Sequence, residues 1–131
     1  MILSHITLGT DDLDRAAAFY DAVLGDLGIA RMRRSANFVG YGIEGEAAVF
    51  IGRPFNRTPT SAGNGTSVLF LAPSRDAVDR FWQRATALGG RDEGAPGLRP
   101  HYHANYYGAY LRDLDGNKIG AVCHAPAQDA A

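Results

Sequence analysis

Residues 4–28 read SHITLGTDDLDRAAAFYDAVLGDLG, and residues 66–90 read TSVLFLAPSRDAVDRFWQRATALGG. Each stretch contains a short apolar run, a break that offers helix-capping residues, and an apolar stripe at helical spacing that stops at glycine. Phe81 follows Phe19 by 62 positions, and the two stretches keep this register without a gap. The sequence therefore predicts one strand–helix unit that occurs twice.

The first unit begins with a predicted strand at 2–9. Within it, the Ile side chains point to one face, whereas His5 and Thr7 point to the other. A helix follows, which ends at Gly25 or Gly28. Three shorter predicted strands complete the unit, at 29–33, 37–43 and 47–52.

The second unit follows a segment rich in Pro, Asn, Thr, Ser and Gly, which indicates a linker. It repeats the strand at 66–72 and has a helix that stops at Gly89 and Gly90. A Gly- and Pro-rich stretch at 92–105 comes next and is not assigned to a strand. Strands are then predicted at 106–112 and 118–123. The predicted division is module one at 1–52, a linker at 53–65, module two at 66–124 and a tail at 125–131.

Composition limits the class of protein. The 131 residues are 46% hydrophobic and 21% charged, with a net charge of −1 and one cysteine. These values are typical of a single globular domain without a disulfide framework, and they give no electrostatic reason to expect a nucleic-acid partner. No apolar stretch is long enough to cross a bilayer, and the first residues do not resemble a secretion signal. We therefore expect a cytoplasmic protein with neither nucleic-acid nor membrane partners.

Three stretches carry a family resemblance: 4–12 (SHITLGTDD), 17–20 (AAFY) and 107–119 (YGAYLRDLDGNKI). Together with the repeated unit, they resemble the vicinal oxygen chelate superfamily, which includes glyoxalases, bleomycin-resistance proteins and extradiol dioxygenases. The resemblance implies an α+β fold in which two βαβββ modules form a curved, open mixed β-barrel with helices outside. The hollow of such a barrel is the expected site for a small ligand.

The resemblance also implies where a metal would be held. Catalytic members hold a divalent metal with ligands from the first and last strands of each module, and the metal stabilises a developing oxyanion. His5 stands at the first of these positions, but Ser67 stands where histidine is expected and Gly120 where glutamate is common. The strand at 47–51 offers no ligand. Because zinc and iron sites usually need three or more protein ligands, no metal is predicted, and His5 is interpreted first as a hydrogen-bonded or cavity-lining residue.

A second group of candidates lies near the end of the Gly- and Pro-rich stretch. His101 and His103 would share a side if extended, close to Tyr106 and Tyr107. They are either surface histidines that pack a loop or part of an aromatic lid over a ligand. In a catalytic protein, His5, His101 or His103 could serve as the general base. The predicted ligand-binding residues are His5, Ser67, His101, His103, Tyr106, Tyr107 and Gly120.

Two further observations concern charge and the thiol. Arg31, Arg33 and Arg34 form a small basic cluster, from which Arg33 could reach a ligand anion. Cys123 lies among apolar residues and is predicted to be a buried thiol without a nucleophilic role.

These features leave three hypotheses. The first is a protein that binds a small organic molecule in the barrel without a tightly held metal. The second is a metal-dependent lyase, isomerase or dioxygenase with a rearranged site built from His5, His101 and His103. The third is an interaction module whose hollow is filled by its own side chains. In each case we expect a homodimer, because an open sheet edge needs covering and members of this length commonly pair.

Overall fold

The computed structural model describes residues 2–127, and the predicted tail lies partly outside this range, at 128–131. Within it, two helices and eight strands follow one another in this order: β1 (Ile6–Gly9), α1 (Leu13–Gly25), β2 (Ala30–Arg34), β3 (Phe38–Ile43), β4 (Glu46–Gly52), β5 (Ser67–Leu71), α2 (Arg75–Ala87), β6 (Arg91–Leu98), β7 (Tyr107–Arg112) and β8 (Lys118–Cys123).

The repeat seen in the sequence is present in the structure. α1 and α2 both begin and end 62 residues apart. Each helix starts at a side-chain cap, since Asp12 accepts a hydrogen bond from the Arg15 N–H and Ser74 accepts one from the Ala77 N–H. Such caps satisfy backbone donors that have no partner inside the helix, so the local sequence alone sets where both helices begin.

Each module forms one four-stranded mixed sheet. Sheet A has the order β1-β4-β3-β2, and sheet B has the equivalent order β5-β8-β7-β6. The first strand of each module runs parallel to the last, and the other neighbours are antiparallel. The predicted α+β fold of two βαβββ modules with curved sheets is therefore confirmed.

Strand β6 departs from the sequence prediction. It covers the first half of the stretch at 92–105 that was not assigned to a strand. Its pairing with β7 shifts register on both sides of Gly94, and it contains Pro96. An edge strand tolerates both features because one of its sides makes no hydrogen bonds to a neighbouring strand. At the other end of the chain, β1 is shorter than predicted and begins at Ile6, just after His5.

The two sheets meet through their helices. α1 and α2 contact each other, and each packs against strands of its own sheet. Across residues 2–127 no strand of sheet A pairs with a strand of sheet B, so the two sheets do not close into one barrel within the single chain. One apolar core lies on the helix side of both sheets and includes Val23, Leu24, Val39, Phe81 and Ile119. The face of each sheet opposite its helix, here called its outer face, is left free.

A buried polar cluster joins the modules. The Asp113 carboxylate accepts hydrogen bonds from the Tyr20 hydroxyl, from the Asn117 side-chain amide and from the backbone N–H groups of Asp115 and Asn117. The same Asn117 amide donates to the Gly9 carbonyl at 2.9 Å. Burial, reinforced by the Asp113 charge, raises the pKa of Tyr20 well above its ordinary value. The phenol therefore remains a proton donor to a carboxylate that water does not reach.

Neither of the two helices described is long and apolar enough to cross a membrane.

The polar cluster generates a stability prediction. We expect Tyr20→Phe to lower the free energy of unfolding by about 1–3 kcal/mol, because the buried Asp113 loses one donor. Denaturant titration measures the change. The matched control is Tyr102→Phe, since that ring is 62% exposed. The control should change the unfolding free energy by less than about 0.5 kcal/mol. Equal effects of the two substitutions would show that the cluster does not stabilise the fold.

Candidate functional site

The outer face of sheet A carries a cavity. Because Leu8 is buried on the helix side of β1, the alternation of the strand places His5 and Thr7 on the outer face, as predicted. Both residues line a cavity of about 1090 Å³, which lies over β1, β4 and β3 and is bounded by residues 53–61 of the linker. The size reaches the upper end of the usual range for small-molecule sites, about 300–1,000 Å³.

Aromatic rings form the wall of this cavity. The Phe50 ring makes edge-to-face contacts with His5 and Phe38, at ring-centre distances of 5.3 and 5.5 Å. Gly40 lies beneath Phe50, and a Cβ atom at that position would come within 2.8 Å of the ring. The absence of a side chain at Gly40 therefore leaves room for the Phe50 ring, which contributes an aromatic wall to the cavity.

The linker is fixed against module one at both ends. The Arg53 N–H donates to the Asn37 carbonyl at 3.0 Å, and the Asp11 carboxylate accepts from the Thr60 N–H at 2.7 Å. Between these points, a turn at Pro54 is closed by a hydrogen bond from the Arg57 N–H. A segment that reads as a linker in the sequence thus forms one side of the cavity.

The charges around the cavity are mainly positive. Arg33, Arg53 and Arg57 line it, and Glu46 is the one carboxylate among the described lining residues. The Ser4 hydroxyl lies 2.8 Å from Nδ1 of His5, which orients the imidazole at the cavity edge. The site therefore combines aromatic rings, guanidinium groups and one imidazole. Such a set can bind a small molecule through both apolar contacts and hydrogen bonds.

The sequence pattern of the glyoxalase/bleomycin resistance protein/dioxygenase superfamily matches residues 2–120. This chain belongs to that superfamily.

Solved structures agree with the assignment. A glyoxalase/bleomycin resistance protein from Albidiferax ferrireducens T118 is 36% identical, with a TM-score of 0.86 over 95% of this chain and 100% of that one. A family enzyme from Burkholderia phytofirmans PsJN is 23% identical, with a TM-score of 0.71 over 93% and 98%. A lactoylglutathione lyase from Agrobacterium tumefaciens is 23% identical, with a TM-score of 0.65 over 94% and 92%. The last two likenesses concern the fold alone. No curated protein matches the chain.

The residues present do not fit the metal centre implied for catalytic members of this superfamily. Ser67 begins β5, on the other sheet from His5. Gly120 lies beneath Tyr110, and a Cβ atom there would come within 2.5 Å of a backbone oxygen. In residues 2–127, no group of three or more His, Cys, Asp or Glu side chains is placed to hold a metal ion. His5 instead contacts the ring of Phe50, which is not a metal ligand.

The other predicted histidines lie in a separate aromatic cluster on module two. His101 and Tyr102 contact each other, and the Tyr102 ring contacts Tyr106. The His103 ring stacks on His124, with Nε2 of the first 2.8 Å from Nδ1 of the second. The predicted loop conformation around His101 is correct, but this cluster does not line the cavity beside His5. Sequence reasoning missed His124, which lies just after the last strand.

The remaining predicted residue, Tyr107, faces α2. Its hydroxyl donates to Asp79 at 2.6 Å, and burial together with this hydrogen bond raises the pKa of Tyr107 to about 12. The neighbouring Tyr110 instead covers the outer face of sheet B, with Arg99 and Lys118 over its ring. Side chains therefore fill much of that face, which is why the cavity lies on sheet A.

Several cavity residues were not among the predicted site residues. Phe38 and Phe50 looked like ordinary strand residues, and Arg53 and Arg57 lay in the linker. The alternation of His5 and Thr7 gave a usable signal for the outer face of β1. No pattern in the linker indicated that its arginines would turn toward that face.

Metal content tests whether the residues at the implied ligand positions can hold a metal ion. We expect protein purified without added metal to hold well below one equivalent of zinc, iron, nickel or manganese, because one imidazole cannot retain these ions firmly. Elemental analysis measures this content, with His5→Ala and His101→Ala as matched variants. Stoichiometric metal that is lost in the first variant would contradict the prediction, and its loss in the second variant as well would indicate the rearranged site with His5 and His101.

Proposed function

We propose that this protein binds a small organic molecule on the outer face of sheet A, without a resident metal. The observation that carries the proposal is the cavity of about 1090 Å³ with an aromatic wall formed around Phe50. A fold shared by many chemistries does not by itself assign a function, so the proposal depends on the site. Aromatic side chains such as Phe38 and Phe50 pack well against a ligand with a planar ring or unsaturated body.

His5 provides the polar contact in this proposal. It is the one predicted general-base candidate that lines the cavity. An imidazole can donate or accept a hydrogen bond near neutral pH, so it can orient a hydroxyl or carbonyl of the ligand. Its ring is positioned by Ser4 on one side and Phe50 on the other.

Removal of the aromatic wall should weaken binding. We expect Phe50→Ala to reduce the affinity for small aromatic fragments about three- to tenfold, because the stacking surface is lost. Fragment titrations followed by amide chemical shifts measure both the affinity and the location. In the wild-type protein, the shifts should cluster on β1, β4 and residues 53–61.

The matched control is Leu88→Ala, which removes a half-exposed apolar side chain at the end of α2. It should leave fragment affinity unchanged. His5→Gln provides a second variant that keeps the size and polarity of the side chain. Shifts that map away from the cavity in every titration would overturn the proposed site.

We further propose that two copies of the chain pair. β1 and β5 are end strands of their sheets, and Leu69 and Leu71 are exposed on the outer face of sheet B, Leu71 at 72%. Exposed strand edges and apolar side chains are usually covered in soluble proteins. If the outer face of sheet B from a second copy lies over the cavity, the predicted residues of both modules belong to one site. Those on module two, apart from Tyr107, which faces α2, are Ser67, His101, His103, Tyr106 and Gly120.

Mass in solution tests the pairing. We expect light scattering at micromolar concentration to give twice the chain mass of 14.0 kDa. Leu71→Asp should shift the protein toward the monomer, because it places a charge in the proposed interface. Leu88→Asp, on α2 away from that face, should not. A mass of 14.0 kDa for the wild-type protein would overturn the proposal.

We also propose a cytoplasmic location. Its support is the single cysteine, Cys123, which is a free buried thiol as predicted and suits a reducing compartment.

A further inference from the structure

Most arginine side chains of the described chain have a partner. Carboxylates pair with Arg15, Arg31, Arg34, Arg84, Arg91 and Arg112. Tyrosine rings lie beneath Arg75 and Arg99. Within residues 2–127, the side chains with neither an ion pair, a hydrogen bond nor an aromatic partner belong to Arg33, Arg53, Arg57 and Arg80.

Three of these four arginines line the cavity on sheet A, and the fourth, Arg80, lies on α2. The concentration is local, because the whole chain has a net charge of −1. Strand β2 shows why one arginine is paired and its near neighbour is not. Its register shifts between Arg31 and Arg33, so that Arg31 pairs with Asp21 of α1 while Arg33 lines the outer face. Guanidinium groups without carboxylate partners remain available to an anion.

Arg57 also occupies an unusual backbone conformation. Its φ angle is +62°, in the left-handed region that glycine or asparagine adopts at lower cost. Residues held in this region cluster at functional sites. The turn itself needs only the backbone hydrogen bond to Pro54, which glycine could also make. The side chain is therefore not required by the local fold.

We propose that the ligand of this cavity is a small organic anion with a flat apolar body. Its carboxylate or phosphate group contacts Arg33 and Arg57, and its ring lies against Phe50. A planar guanidinium matches both kinds of oxyanion with paired hydrogen bonds, and the aromatic wall accepts the apolar part. Arg53 borders the same cavity but also a recess with Asp12 and Asp14, so it has nearby negative charge. This inference rests on the proposed function and adds the chemical class of the ligand.

Matched probe molecules distinguish the contribution of ligand charge to binding from that of ligand shape. Benzoate and phenyl phosphate carry the anion, and benzamide has nearly the same shape as benzoate without the charge. Calorimetric or chemical-shift titration of the full chain should show both anions binding at least about tenfold more tightly than benzamide. A preference between the two anions then distinguishes a carboxylate from a phosphate ligand. Added salt should lower the affinity for both anions and leave the affinity for benzamide unchanged.

Single substitutions test whether Arg33 and Arg57 bind the anionic group. Arg33→Gln and Arg57→Gly should each weaken anion binding about tenfold while leaving benzamide affinity unchanged. Arg57→Gly should at the same time keep or raise the melting temperature, because glycine relieves the left-handed strain. Arg80→Gln, which removes an unpaired arginine outside the cavity, is the control and should change neither affinity.

Two outcomes would overturn the inference. The first would leave the proposed function intact, and the second would overturn it as well. If benzamide binds at the cavity as tightly as benzoate and the arginine variants change nothing, the ligand class is wrong while the cavity remains a binding site. If none of the three probes produces shifts at the cavity, both proposals fail.

Discussion

The buried carboxylate of Asp113 links the two modules through hydrogen bonds. It accepts donors from its own turn, at Asp115 and Asn117, and from Tyr20 on the helix of the other module. Asn117 then donates to Gly9 at the end of β1. Each of these donors stabilises the charge, since an unpaired buried carboxylate is strongly penalised. The cluster therefore joins the modules on their helix side and leaves the opposite face of each sheet free.

The two free faces have different side chains, although the modules repeat one pattern. On sheet A, the Phe50 ring lies over Gly40 and lines an open cavity. On sheet B, Tyr110 lies over Gly120 between Arg99 and Lys118, and its hydroxyl contacts Tyr106. Burial and this contact raise the pKa of Tyr110 above its ordinary value. The same backbone thus supports one open face and one largely filled by its own side chains.

His5 keeps the position that the superfamily resemblance gives to a metal ligand, but its surroundings are different. Its neighbours are the Ser4 hydroxyl and the Phe50 ring, and arginines rather than carboxylates line the rest of the cavity. Cationic side chains disfavour a metal cation and favour an anion. The proposed loss of metal and the proposed preference for an anionic ligand therefore have a common electrostatic cause.

Local sequence patterns were sufficient to predict the repeated strand–helix unit, both helices and most strands, because periodicity and capping are local properties. They also placed His5 and Thr7 on one face. They did not reveal β6, since Gly94 and Pro96 are tolerated there only because the strand lies at an edge. Only the folded chain shows that Arg57 of the linker and Phe50 line the same cavity and that His101 and His103 do not line it. Those outcomes depend on long-range packing and hydrogen bonds between distant residues, which no local pattern in one sequence encodes.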